Sequence, residues 1–120
     1  MIQTYTGTIL IPAAATAVDL YLESIITGRI QAIYIDIGDL TDPVIAFTGE
    51  TTGVPILTEA ATGWYYPRAF ANQVADGTAE AVAREEIHVL KERIKVAVSH
   101  AVAGETGTVT VYVDTPNHPY

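Results

Sequence analysis

The sequence predicts an all-β fold: one β-sandwich or jelly-roll-like domain. Three observations carry that prediction. Short runs rich in Val, Ile, Thr and Tyr recur along the whole chain, separated by Gly, Pro and Asp. Within those runs apolar and polar residues alternate with a period of two, the pattern of a strand with one face buried. Finally, 120 residues with 49% hydrophobic content and no Cys fit a single domain that holds its core without staples.

The elements follow in order. Thr4–Ile11 ("TYTGTILI") suits a pleated, half-buried strand. In Ala13–Gly28, Val18, Leu20 and Leu22 alternate with Asp19, Tyr21 and Glu23, which favours a strand over a helix starting after Pro12; Gly28 then marks a turn or a strand kink. Gly28–Gly38 places Ile33, Ile35 and Ile37 on one face. Pro43–Ala60 reads as two strands around a polar tip with Gly49 and Gly53 at its ends, a hairpin. Thr106–Asp114 is the cleanest strand, with Val109, Val111 and Val113 facing one way and Thr108, Thr110 and Tyr112 the other. The tail, residues 115–120, carries Pro116 and Pro119 and is expected to be extended, leaving residues 1–114 as the domain.

Thr78–Gly104 fits two periods. A helical stripe would contain Ala83, Ile87, Leu90, Ile94, Val98 and Ala101. A strand reading pairs Ile87 with Val89, changes phase near Leu90–Glu92 through a bulge or turn, and continues with Ile94, Val96 and Val98. Val89, Val96 and Val102 fit only the strands. The β character of every neighbouring segment tips the balance to strand.

Charge and composition narrow the function. The net charge is −8, so counter-ion release gives no drive toward nucleic acid, and none is expected as partner. No run of 18 apolar residues is present, and residues 8–22, though apolar-rich, lack the preceding basic region of a signal peptide. The expectation is a protein assembled in a cytoplasm without membrane contact. Residues 1–60 hold seven acids and one base, whereas four of the six bases lie between Arg84 and Lys95. Lys91, Arg93 and Lys95 form a basic stripe on the strand reading, a candidate contact or a solvated face with local ion pairs.

Catalytic constellations find no support. "TGETTG" lacks the Lys-Ser/Thr that a phosphate loop needs, and Ser99 and His100, as strand neighbours, face opposite ways. Glu85 and Glu86 diverge for the same reason. His88 and His100 have no carboxylate at metal-ligand spacing, and Asp36, Asp39 and Asp42 read as a polar turn that is too sparse for a calcium loop. No enzyme activity, metal or cofactor is expected. The informative stretch is "GWYYPR". Trp64 and Tyr66 point one way on an extended chain and Tyr65 the other, while Pro67 keeps the segment at a sheet edge or in a loop. One side is expected to close the sandwich. The other, with Arg68, is expected to meet a neighbouring protein, since Trp, Tyr and Arg dominate interface hot spots.

The order of "TGRIQAIYIDI", "TGETTGVPILT", "WYYPR" and "ERIKVAVSHAVAGETGTVTVYVD" resembles a group of small, β-rich structural proteins of tailed-bacteriophage virions, over roughly Ile25–Asp114. The resemblance implies an all-β sandwich without catalysis that decorates or cements the icosahedral capsid by binding the major capsid protein. It also implies association with copies of itself, as a trimer for instance. Its locus would be the virion's capsid surface, after assembly in the host cytoplasm. It equally admits a head–tail adaptor, stopper or tail-tube component. The Ala/Glu-rich "TAEAVAREEIHVL" departs from the group's pattern and admits a short helix at Thr78–Glu86. The candidate contact residues are Trp64, Tyr65, Tyr66, Arg68, Lys91, Arg93, Lys95 and, as a tail anchor, Tyr120. A carbohydrate-binding module that stacks sugars on the three adjacent aromatics is the alternative outside the virion.

Overall fold

The computed structural model describes residues 1–69 and 85–115. The segment 70–84 and the tail residues 116–120, Tyr120 among them, lie outside the described residues, as does most of the stretch that admitted a helix. The described residues are all β and contain no helix. The strands are β1 (Ile2–Leu10), β2 (Val18–Tyr21), β3 (Ile26–Asp36), β4 (Val44–Gly49), β5 (Pro55–Glu59), β6 (Gly63–Tyr65), β7 (Arg68–Ala69), β8 (Glu85–Glu86), β9 (His88–Glu92), β10 (Ile94–Ser99) and β11 (Thr106–Asp114).

Two antiparallel sheets form the sandwich. The first has the order β1-β11-β3-β6, with β9 beside the N-terminal half of the long β3 and β6 beside its C-terminal half. The second has the order β2-β10-β4-β5; β7 and β8 make a separate two-residue ladder. Glu85 and Glu86, the end of the stretch that admitted a helix, are therefore strand residues.

Between the sheets lie Ile9, Ile26, Ile30, Ile33, Ile35, Ile45, Phe47, Val89, Ile94, Val96, Val98, Val109, Val111 and Val113, all essentially buried. Each such side chain contributes roughly 1.5–3 kcal/mol relative to exposure. The alternations read from Val109–Val113 and Ile94–Val98 are the inward faces of β11 and β10. The helical stripe fails at Leu90, which is 70% exposed, whereas Val89 and Val96 are buried.

Two irregularities explain what simple alternation misses. On β3 the inward set changes parity, from Ile26 and Ile30 to Ile33 and Ile35. The ladder with β11 slips there: Ala32 faces Tyr112 while Ile30 faces Val113, so Gln31 is the extra residue of a bulge. β3 also begins at Ile26, two residues before the expected start, and runs through Gly28, where the pairing with β9 is irregular. Gly28 is thus a kink within a strand rather than a turn. A Cβ there would lie 2.5 Å from the Asp114 carbonyl oxygen, so only glycine lets the two backbones approach. The phase change near Leu90–Glu92 is the passage from the first sheet to the second, with Lys91 at φ 52°.

Candidate interaction surface

The outer face of the first sheet brings together residues distant in sequence. Outward positions alternate with the core ones: Thr4, Thr6 and Thr8 on β1, Thr108, Thr110 and Tyr112 on β11, Tyr34 and the small, covered Ala32 on β3, and Trp64 on β6. Trp64 stands opposite Tyr34 in register, and their ring centroids are 4.9 Å apart with planes tilted by 50°. The indole also reaches Tyr112, at 5.4 Å and a 36° tilt. Ala32, the residue of β3 opposite Tyr112, carries only a methyl group where a larger side chain would stand between β6 and β11. Toward β1 the face continues as threonines, with Thr6 Oγ1 3.4 Å from Thr110 Oγ1.

Trp64 remains 52% exposed and Tyr66 63% exposed. Tyr65 turns the other way, packs against the core and donates its hydroxyl to the Ala61 carbonyl at 2.6 Å. So the inward member of "WYYPR" is Tyr65, and the outward members are Trp64 and Tyr66. Pro67 is buried. The Arg68 guanidinium folds back on the backbone, donating to the Pro67 carbonyl at 2.7 Å and to the Gln31 carbonyl at 3.5 Å.

The basic stripe does not join this face. Lys91 is the penultimate residue of β9 in the first sheet, whereas Arg93 and Lys95 belong to the passage into β10 and to the outer face of the second sheet. Arg93 makes a two-pronged pair with Glu50, its Nε donating at 2.6 Å, and lies over the Tyr21 ring at 4.7 Å. Lys95 pairs with Asp19 at 3.6 Å. Glu92, between Lys91 and Arg93, is 5% exposed. Its Oε1 accepts the backbone N–H groups of Thr51 (2.8 Å) and Thr52 (3.0 Å), and its Oε2 accepts the Thr52 hydroxyl (2.8 Å). These bonds, the Thr52 N–H foremost, hold the Glu92 carboxyl below the usual glutamate range against the opposing effect of burial. The Arg93 guanidinium likewise lowers Glu50.

Asp36, Asp39 and Glu105 also serve the fold. Asp36 accepts the Gly38 N–H (3.0 Å) and Asp39 the Thr106 N–H (2.7 Å), while Glu105 accepts the N–H and hydroxyl of Thr41 (3.0 and 2.6 Å). The acidic loop is a polar turn tied to β11. An open cleft of about 320 Å³ lies where β3, β9 and β11 meet, and Arg29 in its lining is engaged by Asp114 (2.8 Å) and Glu86 (3.5 Å). Among the described residues no group of three His, Asp or Glu side chains is placed to hold a metal, and no helix is long and apolar enough to cross a membrane.

Sequence reading placed Trp64 beside Tyr66 on the outward side of its segment and gave it no partner on another strand. Tyr34 and Tyr112 were visible as outward residues of their strands, but only the inter-strand register brings them under the indole. Comparison with family models, with curated proteins and with solved structures gives no match to this chain.

Proposed function

We propose that this protein is a non-catalytic structural component of a tailed-phage virion that decorates or cements the capsid by binding the major capsid protein. The contact is the outer face of the first sheet, with Trp64 and Tyr66 as its anchors. The observation that carries this reading is Trp64 itself: half exposed, yet held in place by Tyr34 and Tyr112. Exposed aromatic rings that are already ordered lose little side-chain freedom on binding, which is what makes Trp and Tyr effective hot spots. Around them the face is threonine-rich, a surface that desolvates without stranding a charge. Many copies on one particle then multiply a modest single contact.

The capsid as partner rests on the resemblance of the "TGRI", "YYPR" and "ERIKV" blocks; the aromatic face supplies a means of attachment. Arg93 and Lys95, already paired with Glu50 and Asp19, are weaker candidates. The tilt between the three rings favours a protein surface over a sugar, which stacks best on a flat platform.

The test is the stoichiometry of this protein in purified particles, followed by rebinding to particles that lack it. A ratio near one copy per capsid protein, or one per capsomer, is expected. Trp64→Ala with Tyr66→Ala should weaken rebinding by about thirty-fold or more, the loss of roughly 2 kcal/mol typical of a hot spot. About a dozen copies per particle would move the protein to the head–tail junction. Its absence from particles would end the virion reading.

A further inference from the structure

Among the described residues the sandwich has unpaired strand edges at β1, β2, β5, β6 and β9, and four of these carry features that discourage pairing with another chain. β2 has only four residues and includes Asp19. β5 starts at Pro55 and ends at Glu59. β6 has three residues and is followed closely by Pro67. β9 carries His88, Lys91 and Glu92, with Lys91 in a left-handed conformation. β1 has none of these features. Its nine residues, "IQTYTGTIL", contain no charge and no proline, and their register with β11 runs from Ile2–Asp114 to Leu10–Thr106 without a slip.

The hydrogen bonds at its two ends show which way each residue faces. Ile11 N–H donates to the Glu105 carbonyl and Thr115 N–H to the Met1 carbonyl, so the odd-numbered residues of this ladder address β11. The even-numbered residues, Ile2, Thr4, Thr6, Thr8 and Leu10, turn their N–H and C=O groups away from it. Among the described residues no backbone group meets them, and all five side chains are exposed.

We propose that β1 is a dimer interface, pairing antiparallel with the β1 of a second copy across a two-fold axis at Thr6. The outward residues read the same in both directions by type: apolar, Thr, Thr, Thr, apolar. In that register Ile2 lies opposite Leu10, Thr4 opposite Thr8, and Thr6 opposite its own equivalent, the self-complementarity that an isologous interface requires. A chain of net charge −8 has few stretches that can meet themselves without repulsion, and β1 is one of them. The pairing joins the first sheets of both copies into one continuous sheet. Because the axis is normal to that sheet, both Trp64 clusters face the same side, which makes the aromatic surface bivalent. The interface closes at two copies, not three. It is a property of the free chain and stands or falls independently of capsid binding.

Sedimentation equilibrium of the free protein at about 100 µM should give twice the 12.8 kDa of one chain. Thr6→Pro and Thr6→Lys should each halve that mass while leaving the circular dichroism spectrum and the melting transition in place. The Thr6 N–H points away from β11, so its loss costs the monomer no ladder bond. Thr108→Lys, on the same face but one strand in, should leave the dimer intact. A monomeric or trimeric wild-type chain would overturn the proposal. So would a dimer that survives Thr6→Lys in folded protein, or one lost on Trp64→Ala but kept in Thr6→Lys.

Discussion

At the corner where β9 passes into β10, two charged side chains are tied to partners: Glu92 caps the β4–β5 turn and Arg93 grips Glu50. Across the molecule, the outer face of the first sheet presents threonines and three mutually tilted aromatic rings. The corner joins the two sheets and leaves little polar capacity for a partner. The face contributes its inner side to the core and leaves its outer side available. Charge density therefore marks the structural region here, and the neutral aromatic region is the one suited to recognition.

The largest effect should come from breaking the corner. Glu92→Ala removes charge-assisted bonds to Thr51 and Thr52 and should cost about 2–3 kcal/mol, or roughly 8–12 °C in melting temperature. Gly49 is tied to the same carboxylate: a Cβ there would lie 2.6 Å from Glu92 Oε1. Gly49→Ala should therefore destabilise by about 1–3 kcal/mol through overpacking. The double variant should cost less than the sum of the two, because the clash disappears with the carboxylate. Additive losses in thermal unfolding would show that the two residues act separately.

That corner also shows how far the sequence could be read. The hairpin with Gly49 and Gly53 at its tip and the phase change near Glu92 were both legible, because each is a local departure from alternation. Their connection was not, since it joins residues 40 apart and depends on the register of β10 against β4. Lys91, Arg93 and Lys95 looked like one stripe because they alternate, yet the chain changes sheets between the first and the last. The Gln31 bulge reversed the parity of β3 with no Gly or Pro to announce it. On the face, the outward direction of Tyr34 and Tyr112 followed from alternation, while their meeting with Trp64 required the strand order.

Acid should act on the corner before it acts on the face. At the corner, Glu92 is held low chiefly by the Thr52 N–H and Glu50 by Arg93; away from it, Glu105 is lowered by the Thr41 hydroxyl and Asp114 by the N-terminal ammonium group. A carboxyl with a folded value below its unfolded one takes up its proton more readily when unfolded. Its stabilisation is complete above the ordinary glutamate value of 4.5 and is lost as pH falls from there through the depressed folded value. The melting temperature should thus be flat from about pH 6 to 8 and drop below about pH 4.5, with a shallower drop in Glu92→Gln. An unchanged acid limb in that variant would remove Glu92 from the account.

A smaller effect is expected on the face. Trp64→Ala removes a ring that packs on Tyr34 and Tyr112, and such aromatic pairs are worth about 0.5–1.5 kcal/mol each. Half the indole is already in solvent, so a total near 1 kcal/mol is expected in chemical denaturation, well below the cost of Glu92→Ala. A loss as large as that of Glu92→Ala would make Trp64 a structural residue and weaken its assignment as an anchor.

The smallest effect separates charge that holds the fold from charge that merely lies on it. Lys95 and Asp19 sit 3.6 Å apart on the outer face of the second sheet, with Asp19 more than half exposed. An ion pair so open to water is worth about 0.2–1 kcal/mol, and holding the long lysine chain in place offsets part of that. Lys95→Ala should therefore shift stability by no more than about 0.5 kcal/mol, and added salt should shrink even that difference. If Lys95→Ala instead matched Glu92→Ala, the whole charged surface of the second sheet would be structural. The contrast would then lie between the two sheets rather than between a buried corner and an open face.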